Sequence, residues 1–194
     1  GNDLEAANAL LKYYRERKGI RTPEIDDPKK ATITAEQQKW ADEALEHTFF
    51  VHKGYQPSYN YGEDIDWRFW PIKDNELRWQ LHRHKWFTPM GRAYRVSGDE
   101  KYAAEWTKQY IDWIRKNPYE GDKENARFAW RPLEVSHRLQ DQPLQFQLFI
   151  DSPSFTAEFL SEFLTNYHLH AEYIMGHYSK QGNHLLFEAQ RMIC

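Results

Sequence analysis

A chain of 194 residues, 40% hydrophobic and 28% charged, is long enough to enclose one sizeable core. Its net charge of −3 supplies no basic field for nucleic acid, so a polyanion would have to be met by a local basic patch. One cysteine, Cys194, excludes an internal disulfide and a cysteine-based zinc site. No run of 18 apolar residues predicts a membrane span, and no signal-peptide pattern opens the chain.

Leu4, Ala7, Leu11 and Tyr14 recur at three- and four-residue intervals and predict a first helix ending near Gly19. Residues 20–32, with Pro23 and Pro28, read as a linker, so residues 1–32 form an N-terminal helix and linker ahead of a domain over 33–194. Thr34 with Gln37 is a capping-box pattern, followed by Trp40, Ala41, Ala44 and Leu45 as a second helix. Residues 49–74 carry no helical period but many aromatic rings, among them Tyr55, Tyr59, Tyr61, Trp67, Phe69 and Trp70. This composition predicts an ordered loop at the rim of a cleft, with residues 67–70 packed on the core.

Asn75 is the expected cap of a third helix, with Leu77, Leu81 and His84 on one face and Trp79, Arg83 and Trp86 on another; Pro89 is expected to break or restart it. Ser97-Gly98 reads as a stop, Asp99 as the cap of a fourth helix, and Asn117-Pro118 as its end. A polar loop over 117–126 leads to Pro132, a good first helical residue, and a fifth helix interrupted near Pro143. Residues 151–154 open the longest helix, whose buried stripe runs through Phe155, Phe159, Phe163, Tyr167, His170 and Ile174 to Gly176.

Gly182 then permits a sharp turn, Asn183 fits a helix N-cap, and Leu185, Leu186, Ala189 and Met192 follow at helical spacing. The pattern has no stop signal after Gln190, so the chain is expected to be a piece of a longer protein. No stretch alternates with period two over strand length. The class is all-α, and short connections favour antiparallel helical hairpins. His82/His84 and His168/His170 are two apart and diverge on a helix, and no His-Glu-x-x-His pattern occurs, so neither a metal nor another cofactor is expected.

Three segments, in this order, carry a resemblance: Gly91-Arg92-Ala93-Tyr94 through Ser97-Gly98-Asp99-Glu100-Lys101-Tyr102 to Trp113-Ile114; Trp130 to Arg138; and Gly182-Asn183-His184-Leu185-Leu186-Phe187-Glu188-Ala189. Together they resemble the heparinase II/III-type polysaccharide lyases, with the heparan-sulfate-cleaving branch (the heparinase III type) nearest and alginate lyases among the relatives. The resemblance implies an incomplete α/α toroid, its first half, curving around a substrate cleft. It also implies β-elimination on a uronic-acid glycan, an acidic polysaccharide partner, the remainder of the same chain as a second partner, and a periplasmic or secreted location in a bacterium.

By this resemblance Asn183 neutralises the uronate carboxylate and His184 acts on the substrate, while the family's tyrosine and further histidine lie beyond Cys194. A donor such as the Asn183 amide adds no charge that must be desolvated. Arg127, Trp130 and Arg131 are candidates for glycan contact, since arginine pairs bidentately with carboxylate or sulfate. Each has a structural alternative: Arg131 and Arg138 are within reach of Glu134 or Asp141, and Trp130 divides evenly between core and cleft. Glu188, one turn past His184, either orients it or is a surface charge. Two other functions stay open. A glycoside hydrolase would need two carboxylates on one bond, and Asp64, Asp66, Glu134 and Glu188 show no diagnostic spacing. A non-catalytic glycan-binding helical module would use the same aromatic loop.

Overall fold

The Thr34 hydroxyl accepts from the Gln37 amide at 3.1 Å while the Gln37 side chain accepts from the Thr34 amide at 3.2 Å, so the capping box is closed as its spacing demands. Similar local chemistry starts most of the helices. The computed structural model describes residues 2–18 and 23–177. In chain order these form α1 (Asn2–Glu16), α2 (Pro23–Asp26), a 3₁₀ turn (Pro28–Lys30), α3 (Ala35–Leu45), β1 (Thr48–Phe49), β2 (Tyr59–Asn60), α4 (Asn75–Leu81), α5 (Phe87–Ser97), α6 (Glu100–Lys116), α7 (Lys123–Arg127), α8 (Pro132–Phe149) and α9 (Ala157–Gly176). The strands pair antiparallel, Thr48 opposite Asn60 and Phe49 opposite Tyr59. The helical class expected from the sequence is the one observed.

Several boundaries differ from the sequence reading for identifiable reasons. Asp74, not Asn75, caps α4, accepting from the Glu76 amide at 2.9 Å, and Thr156 caps α9 by accepting from Phe159 at 3.1 Å. Pro89 is the third residue of α5, where no intrahelical N–H is required, so it does not break the helix. The break comes earlier, at His84, whose φ of 54° lies in the left-handed region that histidine seldom adopts. Pro143 stands inside an unbroken α8, on its exposed side, while Leu139, Gln142, Gln145, Leu148 and Phe149 bury the other. Short helices occupy parts of the expected linker and of the loop after Pro118. Of residues 67–70, Trp67 enters the core at 2% exposure, but Phe69 and Trp70 remain 38% and 39% exposed.

Aromatic rings fill the space between helices. Phe49 lies flat on Trp86 with centroids 4.1 Å apart, and Trp106 on Phe149 at the same spacing. Helices α5 and α8 approach closely because Gly91 has no side chain. A Cβ there would sit 2.9 Å from the Leu148 Cβ and 2.7 Å from its Cδ1. At the N-terminus, Arg15 of α1 donates from Nε to Ile150 O (2.8 Å) and from Nη2 to Ser152 O (3.0 Å) and Phe155 O (2.9 Å), tying α1 to the α8–α9 turn.

One charged group is embedded in this core. Arg138 is 1% exposed, donates from Nε to His170 Nε2 at 2.7 Å and from Nη1 to His82 O at 3.1 Å, and lies over the faces of Trp113 and Trp130. Burial pushes its pKa down to about 9. Three histidines share the region. His170 Nδ1 lies 2.7 Å from Asn166 O and donates to it, since Nε2 accepts from Arg138; that makes the ring neutral. His82 Nδ1 accepts from the Trp113 indole at 3.1 Å. Burial, and then the Arg138 charge, hold His82, His84 and His170 well below the ordinary histidine value of 6.5.

Two outcomes are expected. Gly91→Ala overpacks the α5–α8 contact and lowers stability by about 1–3 kcal/mol, readable as a shift of the urea midpoint. Below about pH 6.5 the unfolded histidines bind protons that the native ones refuse. Stability is therefore complete above that pH and falls as pH decreases, by up to about 1.4 kcal/mol per pH unit for each histidine. Urea melts at pH 7.5 and 5.5 check the sign; a higher midpoint at the lower pH would contradict the burial of neutral rings.

Candidate functional site

The antiparallel packing brings several chain links to one end of the bundle. Trp130 donates its indole N–H to Asn117 O at 2.9 Å, joining the start of α8 to the end of α6. Its ring lies 5.5 Å from Tyr173 and 4.7 Å from His170, which joins both to the last turns of α9. Tyr119 meets Trp130 and Tyr173 edge-on, and the exposed His177 ring stacks on Tyr173 at 4.1 Å. Arg83, from the link between α4 and α5, reaches Glu134 in the first turn of α8.

Of the residues singled out in the sequence, Arg127, Trp130 and Arg131 are gathered at this end, while Asn183, His184 and Glu188 lie outside the described residues. The three present have different surroundings. Trp130 is a core residue, 2% exposed, and supports the surface from beneath; a sugar does not reach it. Arg127 is exposed at the end of α7, its guanidinium 5.0 Å from the Phe128 ring, and it forms no ion pair with any described residue.

Arg131 is half-buried. It places Nε 2.5 Å from Glu134 Oε2 and Nη2 3.2 Å from Oε1, and its guanidinium lies 3.7 Å above the Trp79 ring. Glu134 is completely buried and accepts from Arg83 as well, at 3.0 Å, so one carboxylate answers two guanidinium groups. Of the pairings considered for the two arginines, Arg131 goes to Glu134, and Arg138 goes to His170 Nε2 and His82 O.

The acids beside this surface are already engaged. Arg68 takes Asp122 through both carboxylate oxygens at 2.8 and 2.9 Å, and Glu124 at 3.2 Å; Arg78 takes Glu124 at 2.6 Å. The Arg78 guanidinium also lies 3.8 Å from the Phe128 ring. This network fixes α7, and with it Arg127, against the 67–78 segment. Trp79 escaped the sequence reading. Its ring supports Arg131 while its indole N–H donates to Arg127 O at 3.1 Å. The signal available was its placement with Arg83 on one face of the third helix expected from the sequence, a tryptophan and an arginine four residues apart.

Fold and surface together define a helical protein with fixed cations and aromatic rings at one end. The family profile described as Heparinase II/III N-terminus matches residues 1–194. A heparin-sulfate lyase of Bacteroides stercoris is 72% identical, over 100% of this chain and 31% of its own length, and one of Pedobacter heparinus is 52% identical over 98% and 30%. A solved structure of heparinase III with methylated lysines superposes with a TM-score of 0.93 at 68% identity, covering 100% of this chain and 32% of that one. The chain belongs to the heparinase II/III family, and it spans about a third of the length of the relatives it matches.

The two arginines should respond differently to truncation. Arg131→Ala leaves buried Glu134 with Arg83 alone and costs roughly 3 kcal/mol or more. Arg127→Ala, exposed and without an ion pair among the described residues, changes stability by less than about 0.5 kcal/mol. Thermal melts of both variants against the parent chain check the contrast.

Proposed function

We propose that this chain is the N-terminal part, the first half of an α/α toroid, of a lyase that cleaves heparan sulfate or heparin by β-elimination. The observation that carries the reading is the 72% identity, over the whole chain, to a protein named a heparin-sulfate lyase. The described surface adds support. It offers guanidinium groups to an acidic glycan, and it lies where α9 ends at Gly176, seven residues in sequence before Asn183. Export to the periplasm or beyond the cell belongs to the same reading, since the substrate is an extracellular polymer.

In such an elimination a base takes the C5 proton of the uronate, the C4–O bond breaks, and the electron pair forms the C4=C5 double bond. The leaving oxygen takes a proton. The C5 proton is weakly acidic because the neighbouring carboxylate is already negative, so charge accumulates on that carboxylate in the transition state. Asn183 donates from its amide to the carboxylate there, and His184 hydrogen-bonds the substrate beside it; Glu188 orients His184. Arg127 and Arg131 hold acidic groups of the polymer away from the reacting bond. The family's tyrosine and second histidine belong to the remainder of the protein.

The experiment uses the whole protein and follows the ultraviolet absorbance of the new double bond. Heparan sulfate is expected to yield absorbing product, and Asn183→Ala to lower kcat by about 10²–10³-fold, the value of one preorganised donor. Cleavage without absorbance would identify a hydrolase instead, and unchanged turnover in Asn183→Ala would remove that residue from the chemistry.

A further inference from the structure

Arg127 and Arg131 come from different helices, yet one side chain of a third helix connects them. The Trp79 indole N–H holds the Arg127 carbonyl at 3.1 Å, and the Trp79 ring lies 3.7 Å beneath the Arg131 guanidinium. Glu134 fixes the same guanidinium through Nε and Nη2, which leaves Nη1 bonded to none of the described residues. The acids around the pair are consumed: Glu134 by Arg83 and Arg131, Glu124 by Arg68 and Arg78, Asp122 by Arg68. The unspent charge at this place is positive. The Arg131 charge is also held rigidly, since a guanidinium clamped between a carboxylate and an indole face has lost the freedom that a surface arginine keeps.

We propose that Trp79 is the positioning residue of an anion subsite in which the free edge of Arg131 and the guanidinium of Arg127 bind one acidic group of the glycan, a sulfate or a carboxylate. The inference rests on the reading of the chain as part of a glycan lyase. Trp79 touches neither the reacting bond nor the anion. It orients the Arg131 guanidinium and anchors the backbone that carries Arg127, so that binding costs less ordering of long side chains. A subsite of this kind acts on substrate affinity and leaves the chemical step alone.

The test uses the whole protein with heparan sulfate and with its unsulfated counterpart, reading initial rates by the absorbance of the unsaturated product. Trp79→Phe keeps a ring under Arg131 and removes the N–H; Trp79→Leu removes both. KM is expected to rise about threefold in the first variant and about tenfold in the second, with kcat within twofold of the parent, as loss of uniform binding requires. A KM effect confined to the sulfated polymer assigns the anion as sulfate, and one on both polymers assigns it as carboxylate. The decisive arm is a double-mutant cycle. If Trp79 acts through the arginines, Trp79→Leu adds little once Arg127 is Ala and Arg131 is Lys. An undiminished effect in that background, an unchanged KM, or a fall in kcat alone overturns the subsite while the lyase reading stands. Absence of unsaturated product from the parent protein overturns the lyase reading itself, and the melting temperature of each variant separates misfolding from either result.

Discussion

A guanidinium hydrogen-bonded to no described carboxylate sits at the centre of the helical packing. Arg138 links the start of α8 to the α4–α5 connection through His82 O and to α9 through His170, and the rings of Trp113 and Trp130 close over it. An isolated buried cation is costly, so its surroundings must compensate it by other means. They do so with a carbonyl, a neutral imidazole nitrogen, two π faces and the charge of buried Glu134 one turn earlier on α8. The requirement propagates outward: His170 must keep its proton on Nδ1, Asn166 O must accept it, and Trp130 must remain in place as one wall. Disturbing any of these exposes the others, because partly satisfied polar networks are less stable than none.

The surface at the end of the bundle inherits this rigidity. Trp130 is a wall of the Arg138 enclosure and also the residue immediately before Arg131, so the backbone entering α8 is anchored from below. Above it, Glu134 and Trp79 hold the Arg131 side chain, and Arg68 and Arg78 hold α7. The cations at this end thus rest on a layered support of aromatic rings and buried charge pairs. The overall charge of −3 is no obstacle to the proposed acidic partner, because Glu134, Glu124 and Asp122 beside this surface are paired with arginines.

Much of the helical framework was legible. Thr34/Gln37, Gly98 and Asp99 mark boundaries by chemistry that acts within a few residues, and the Phe155-to-Ile174 stripe shows its period directly. What was not legible is non-local. Pro143 reads as a breaker until the burial on the opposite side of α8 is known, and the turn at His84 is imposed by packing that no neighbouring residue announces. The site divides in the same way. Arg127 and Arg131 were visible as cations in a motif, but the core position of Trp130 and the bridging role of Trp79 depend on partners 13 and 48 residues away.

The clamp at Arg15 bears on how the chain acquires its shape. Its three carbonyl partners lie 135, 137 and 140 positions downstream. Contacts of such separation demand closure of long loops before they return any stabilisation, and domains emerge from the ribosome N-terminus first. The Arg15 clamp therefore closes only after α8 and the corner leading into α9 have been made. Of the described helices α1 is made first, yet its Arg15 clamp is completed only by the carbonyl of Phe155.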